Sequence, residues 1–353
     1  MTAIWATIGP RTDNDRAIAE CLQAGVDAFR FSGSKFTGEV LKEQAARVAA
    51  IASDMGVRVD LLLDLPGSKA RLTNDGGFEL TGLVELDILF GPAPASRSGE
   101  RGILGLTGAD LKPLVTVGDI LVIGDGEDAL EVTSIAIDRF TARPLTYGTL
   151  GRSRGVTIEG KSVRHDSLTS RDSELLAATS NGAFTGVIQS FVESPDQLAE
   201  ARNLIRESSE QPRALVAKIE TPAGIACAEQ IARFSDVVLI GRGDLLLTTG
   251  PIAFHAAQQQ AIDACRNAGV PFVVGTDLLP SLSGRWLPNR SELSFLCSLL
   301  ENGVDGLLLA METTIGESPQ RTIAMIDNLR RRYARSSVRQ IISRRLESNL
   351  ASS

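Results

Sequence analysis

The sequence predicts an α/β fold: a (β/α)8 TIM barrel with a small antiparallel β lid domain inserted after strand 3. Three observations predict it. Short apolar or β-branched runs alternate with longer amphipathic stretches near both ends of the chain, the texture of parallel strands joined by crossover helices. That texture stops between about residues 71 and 161, where helical periodicity vanishes and glycine and proline punctuate short alternating runs. Adding the strands on either side of the interruption gives eight, the number that closes a barrel. An open doubly wound sheet is the alternative. The expected domains are a discontinuous barrel over 1–70 and 162–332, the inserted lid over 71–161, and a helical tail over 333–353.

The first strand is AIWATIG, followed by a helix over DNDRAIAECLQAG; VDAFRFS and a helix over GEVLKEQAARVAAIASDMG come next, and VRVDLLLDL is the third strand. Within the interruption, DILVIGDG, ALEVTSIAI and FTARPLTYGTL alternate with a period of two, as half-buried strands do. The βα alternation resumes with AFTGVIQSF and a helix over SPDQLAEARNLIRES, then RALVAKIE and PAGIACAEQIARF, then SDVVLIGRGD and a long helix around IAFHAAQQQAIDACRNAG. VPFVVGTD, a helix from about Arg290 to Asn302, VDGLLLA and a helix near Gln320 complete it. The arginine-rich tail is expected to form one more amphipathic helix, either solvated or packed.

With 353 residues, 43% of them hydrophobic and 22% charged, the composition is that of a globular chain able to bury a full core. The balance of 36 basic and 43 acidic side chains, net charge −7, argues against a nucleic-acid partner held by general charge. No apolar run approaches the ~20 residues needed to span a bilayer, and the start MTAIWATIGPRTDND lacks a basic region and a long apolar stretch, so no membrane partner and a cytoplasmic location are expected. Cys21, Cys227, Cys265 and Cys297 form no CxxC pair, which excludes a zinc ribbon or redox motif. With only His165 and His255 available, carboxylates, lysines and arginines must carry any chemistry.

Polar residues at the carboxyl ends of barrel strands face the active site in such a fold. Lys218 and Glu220 close RALVAKIE two residues apart, so an ammonium and a carboxylate share one face; a simple buried ion pair is the alternative. Asp244, at the end of the next strand, could join Glu220 on a hard divalent cation, Mg2+ or Mn2+. The Gly241-Arg242-Gly243 turn lets backbone amides approach an anion. The hydroxyl of Thr276, again at a strand end, could bind substrate or relay a proton. Arg30, after VDAFR, and Arg71, after LLLDLPGSKA, suit phosphate. Lys35, Asp64 and Lys69 lie on the same rim, with solvated or hinge-bracing charge as the plain reading.

These motifs, from the start to about residue 330, resemble the pyruvate kinase family. ATIGP, FRFSGS, LDLPGSKAR, GDILVIGDGEDALEV, RSRGVTIEG, AKIE, GRGDLL, GTDLL, PNRSE and METTIGESP occur in that family's order and approximate spacing. The resemblance implies a barrel with a lid after the third strand and phosphoryl transfer between phosphoenolpyruvate and a nucleoside diphosphate. It implies that Lys218 steadies the phosphoryl group and the enolate, and that Glu220 and Asp244 hold the metal. The Gly241-Arg242-Gly243 backbone would receive the substrate carboxylate, Thr276 would stand near the enolate carbon, and Arg30 and Arg71 would handle phosphate. Lys35, Arg71 and Arg154, the last where the family usually places a lid lysine, would face the nucleotide.

Departures accompany the match. The family's Arg-x-Asn-x-Ser-His reads Arg30-Phe31-Ser32-Gly33-Ser34-Lys35, so a monovalent-cation or nucleotide contact becomes Ser32 and a histidine becomes Lys35. The Asp-Thr pair of potassium-dependent members reads Asp64-Leu65, and their glutamate reads Lys69, whose fixed ammonium could replace K+; potassium independence is expected. Asp277 replaces a glutamine and Pro280 follows, so the loop there is expected to be rebuilt. No counterpart of the family's carboxy-terminal domain is expected, and pairing of copies through barrel helices is expected by analogy. The same apparatus would also serve a metal-dependent lyase or aldolase on pyruvate or oxaloacetate, a specialised kinase using another enol phosphate or acceptor, or, least favoured, a non-catalytic scaffold.

Overall fold

The computed structural model describes residues 2–163, 167–180, 182–209, 211–335 and 341–351, without the side chains of 344 and 348–351. Eight strands close into a barrel in chain order: β1 (Ala3–Thr7), β2 (Ala28–Ser32), β3 (Asp60–Leu65), β4 (Gly186–Gln189), β5 (Ala214–Ile219), β6 (Val237–Gly241), β7 (Phe272–Gly275) and β8 (Gly306–Leu309). Neighbours are parallel throughout, and Ala3 pairs with Gly306 to complete the circle. The strands are near-continuous apolar runs because both faces are covered. Trp5, Leu62, Ile188, Val216, Leu239 and Leu308 fill the interior, while Phe29, Leu63, Val187 and Ile240 point outward to the helices.

The helices begin where short polar side chains satisfy their first amides. Asn14 accepts from Ala17 N at the start of Asp15–Ala24. Reciprocal capping boxes, Thr169 with Asp172, Ser194 with Gln197 and Asn289 with Glu292, open three others. The helix after β6 differs from the sequence expectation: it starts at once, spanning Arg242–Ala268, and breaks at Gly250 (φ 74) before Pro251. Asp244 therefore sits on a first helical turn and not on a strand.

A second sheet is built from the insertion, in the order Val156–Ile158, Ile120–Ile123, Asp128–Ile135, Arg139–Pro144, Glu85–Leu89, Arg101–Thr107, Arg71–Leu72. Its own core includes Leu86, Ile88, Leu104, Leu121, Leu130 and Phe140. The sheet is not wholly antiparallel: Glu85–Leu89 and Arg101–Thr107 pair parallel, because the intervening chain crosses back and hairpins through Ser96–Ser98.

Two features seal the amino-terminal floor of the barrel. The tail helix Ile341–Ala351 is packed, not solvated, and buries Ile341 and Ile342 among the interior side chains of the strands. The rest of the expected tail helix at 336–340 and 352–353 falls outside the described residues, as does His165. Arg330, 1% exposed, donates to Thr2 O (2.7 Å), Gly25 O (2.9 Å), Asp27 Oδ2 (2.5 Å) and Asp327 Oδ1 (2.8 Å). Burial raises the Asp327 carboxyl, but Arg331 and Arg330 outweigh it and hold it below the ordinary aspartate value.

Candidate active site

The opposite end of the barrel collects the charged side chains. Lys218 on β5 and Glu220 just beyond it point the same way, with Nζ 2.7 Å from Oε1. Gly241 makes this possible from β6, since a Cβ there would lie 2.7 Å from Glu220 Cγ and Oε1. The other carboxylate oxygen of Glu220 accepts from Phe191 N at 3.2 Å. Burial pushes the Glu220 carboxyl up to about 7; Lys218 pulls against it and Asp244 adds to it. Burial depresses the Lys218 ammonium, but Glu220, Asp64 and Asp244 prevail and raise it. Burial raises the Asp244 carboxyl, but Lys69 and Lys218 outweigh it and keep it below its ordinary value.

Around this centre, Arg30 at the end of β2 donates from Nε to Asp64 Oδ2 at 2.6 Å and from Nη1 to Thr7 Oγ1 at 3.2 Å. Ser190 Oγ reaches the other Asp64 oxygen at 3.4 Å. Lys69, on the stem of the inserted sheet, pairs with Asp244 at 2.5 Å. Ser32 and Ser34 bond to each other at 2.9 Å, and Lys35 is exposed beside them. Arg71 donates to Ser153 O at 3.2 Å, and Arg154 pairs with Glu127 at 2.5 Å, so both lid arginines are held by lid groups.

Two adjoining cavities gather the candidates. One of about 720 Å³ is lined by Arg30, Ser32, Ser34, Lys35, Asp64, Lys69, Arg71 and Arg154. The other, about 340 Å³, is lined by Glu220, Gly241, Arg242, Gly243 and Thr276. Lys218, Arg30, Asp244 and the lid residue Asp125 belong to both. The helix that opens on Gly241 has no side-chain cap, so its first-turn amides are available to an anion in the smaller cavity. The Arg242 side chain does not join them; it turns away and donates to Thr276 O at 2.7 Å. The loop after Thr276 runs into a short 3-10 turn, Pro280–Ser283.

Sequence reasoning missed Thr7, Asp125, the Phe191 amide and Glu312, whose buried carboxylate accepts from Leu278 N at 2.9 Å. The METTIGESP motif was the available signal for Glu312. Phe191, with φ 55, had none.

Among the described residues no three His, Cys, Asp or Glu side chains cluster as a metal cage. Glu220 and Asp244 nonetheless fit magnesium or manganese: two adjacent oxygen donors bordering a cavity suit a hard ion that takes its other ligands from water and substrate. The four cysteines are free, and burial pushes the Cys21 and Cys265 thiols up to about 12, which leaves them unreactive.

A family model described as pyruvate kinase, barrel domain, matches residues 1–323. Proteins named pyruvate kinase are similar over most of the chain. One from Agrobacterium vitis is 27% identical over 92% of this chain and 68% of its own length. One from Aeropyrum pernix is 28% identical, with 91% and 68% covered. One from Sporosarcina psychrophila is 26% identical, with 93% of this chain but 56% of the relative covered. The fold, the order of the motifs and the extent of the family match lead to one conclusion: the chain belongs to the pyruvate kinase family, matching its barrel domain.

Proposed function

We propose that the protein is a Mg-dependent phosphotransferase that moves a phosphoryl group between phosphoenolpyruvate and a nucleoside diphosphate through enolpyruvate. The observation that carries this reading is the convergence of Lys218, Glu220 and Asp244, with Arg30 beside them, on a cavity of about 340 Å³. A bound divalent ion would supply Lewis-acid charge next to Glu220 and Asp244. The chain's own groups do the rest. The first-turn amides after Gly241 hold the carboxylate of the three-carbon acid, and Lys218 and Arg30 offset charge on the in-line phosphoryl group. The larger cavity, with Lys35, Arg71 and Arg154 on its rim, accommodates the nucleotide. Thr276 stands on the side from which the enolate carbon takes its proton. Potassium is not required in this reading, because Lys69 brings a fixed ammonium to the same wall. A cytoplasmic location and a homo-oligomer accompany it.

The test is a coupled assay with phosphoenolpyruvate, magnesium and a panel of nucleoside diphosphates, run on the wild type beside Glu220→Ala. Parallel loss of turnover and of Mn2+ affinity in the variant is expected. Turnover without any nucleotide, with C–C cleavage of oxaloacetate, would replace the proposal with a lyase.

A further inference from the structure

The turn after β7 adopts a backbone that its residues do not favour. Thr276 (φ 74) and Asp277 (φ 51) are both left-handed, which is costly for any residue with a Cβ and most of all for a β-branched one. Such strain persists only where neighbours over-determine it. Two charged side chains from the flanking βα units do so. From the helix after β6, Arg242 donates from Nη1 to Thr276 O at 2.7 Å. Its guanidinium lies 4.3 Å from the centre of the Phe295 ring and 5.7 Å from that of Phe254, and its Nε is buried without a hydrogen-bond partner among the described residues. From the turn after β8, Glu312, 2% exposed, accepts from Leu278 N (2.9 Å) and Leu279 N (3.3 Å) through one oxygen and from Ala310 N (3.0 Å) through the other. One residue thus fixes a carbonyl and the other fixes amides of the same strained turn. The outcome is that the Thr276 side chain covers Gly243, whose Cβ position lies 3.4 Å from Thr276 Cγ2 and 3.7 Å from Oγ1, in the cavity shared with Lys218 and Asp244.

We infer that Arg242 and Glu312 are positioning residues that lock Thr276 in its left-handed turn and so aim its hydroxyl at the three-carbon acid; the chemical part of this inference rests on the phosphotransferase reading. Neither side chain touches the substrate. Arg242 acts from beside two aromatic rings, with the carboxylates of Asp277 and Glu312 near enough to favour its charge. With Arg242 shortened to an apolar chain, Thr276 relaxes toward ordinary backbone and its hydroxyl leaves Gly243.

The readout is exchange of pyruvate methyl protons for solvent deuterons, each event breaking one C–H bond and forming one C–D bond. Arg242→Met, which keeps an apolar stem beside the rings but has no donor, should slow exchange by about tenfold or more while the KM for phosphoenolpyruvate and the Mn2+ affinity stay near wild type. Arg242→Lys, which restores a donor, should recover part of the loss. In a Thr276→Ala background Arg242→Met should cost nothing further, since both changes remove one function. Independently of catalysis, backbone 13C and 15N shifts of Thr276 and Asp277 should leave the left-handed range in Arg242→Met, and the Leu278 and Leu279 amides should exchange faster in Glu312→Gln, which carries the test if Arg242→Met does not fold. Unchanged shifts and amide exchange, or additive losses in the double variant, overturn the inference. A wild type that neither exchanges methyl protons nor transfers phosphoryl groups overturns the phosphotransferase reading instead, and the backbone measurements then decide the lock alone.

Discussion

Arg330 at the floor of the barrel and Lys218 at its mouth are both cations walled in by strands, yet the fold treats them differently. Arg330 meets two backbone carbonyls and the carboxylates of Asp27 and Asp327, so its donors are satisfied by protein. Lys218 has one ion-pair partner among the described residues, Glu220, and borders two open cavities. Charge at the floor is closed upon itself and fixes the join between the first strand, the turn before β2 and the helix Pro319–Tyr333. Charge at the mouth is left with hydrogen-bonding capacity that faces the cavities. A saturated network therefore marks architecture, and an unsaturated one is where the proposed phosphoryl transfer would be done.

The sharpest way to break this contrast is at the floor. Arg330→Met removes the cation from Asp27 and leaves Asp327 to Arg331, and should cost about 3–5 kcal/mol of folding stability, read by urea unfolding, while turnover per folded molecule stays at the wild-type value. Lys218→Met should do the reverse, lowering turnover by about 3–4 kcal/mol of transition-state stabilisation with little change in the unfolding midpoint. If both variants lost stability alone, the mouth would be a second structural network. A smaller effect sharpens the floor: Asp327→Asn should cost about 1–3 kcal/mol at neutral pH. Because the folded carboxyl is held below its ordinary value, its contribution is complete above the unfolded value of 3.8 and is lost as pH falls through the folded value. The stability gap between wild type and Asp327→Asn should therefore close in acid, and a gap that widened there would reverse the sign. Ile342→Val, trimming one methyl group from the tail plug, should cost about 1 kcal/mol without altering turnover. Smallest of all is the expected response to potassium: rates in potassium and sodium at equal ionic strength should coincide, and activation by potassium would remove the role given to Lys69.

The sequence carried most of the barrel because its strands are apolar on both faces and bounded by capping residues and glycine, signals that are local. The meeting of Lys218 with Glu220 was legible for the same reason, a two-residue spacing across the end of one strand. Long-range contacts of polar groups were not. Nothing in VIQSF announces that Phe191 turns left-handed and offers its amide to Glu220, and nothing in GRGD tells that Arg242 faces a carbonyl instead of the cavity. The parallel pair in the lid was hidden because alternation specifies a half-buried strand, not the direction of its neighbour. The tail was ambiguous between solvent and packing because its amphipathic pattern fits both, and only the open floor of the barrel decides between them.

The inserted sheet also bears on how the chain reaches its final form. β3 and β4 must pair, Leu62 with Gly186, although the whole insertion separates them. The stems of that insertion lie side by side, with Arg71 bridged to Gly155 and Val156 N bonded to Ala70 O. Once its separate core has formed, most of the intervening length no longer counts as slack: only residues 66–70 and 159–185 are left to close the gap, and the entropic cost falls to that of a shorter loop.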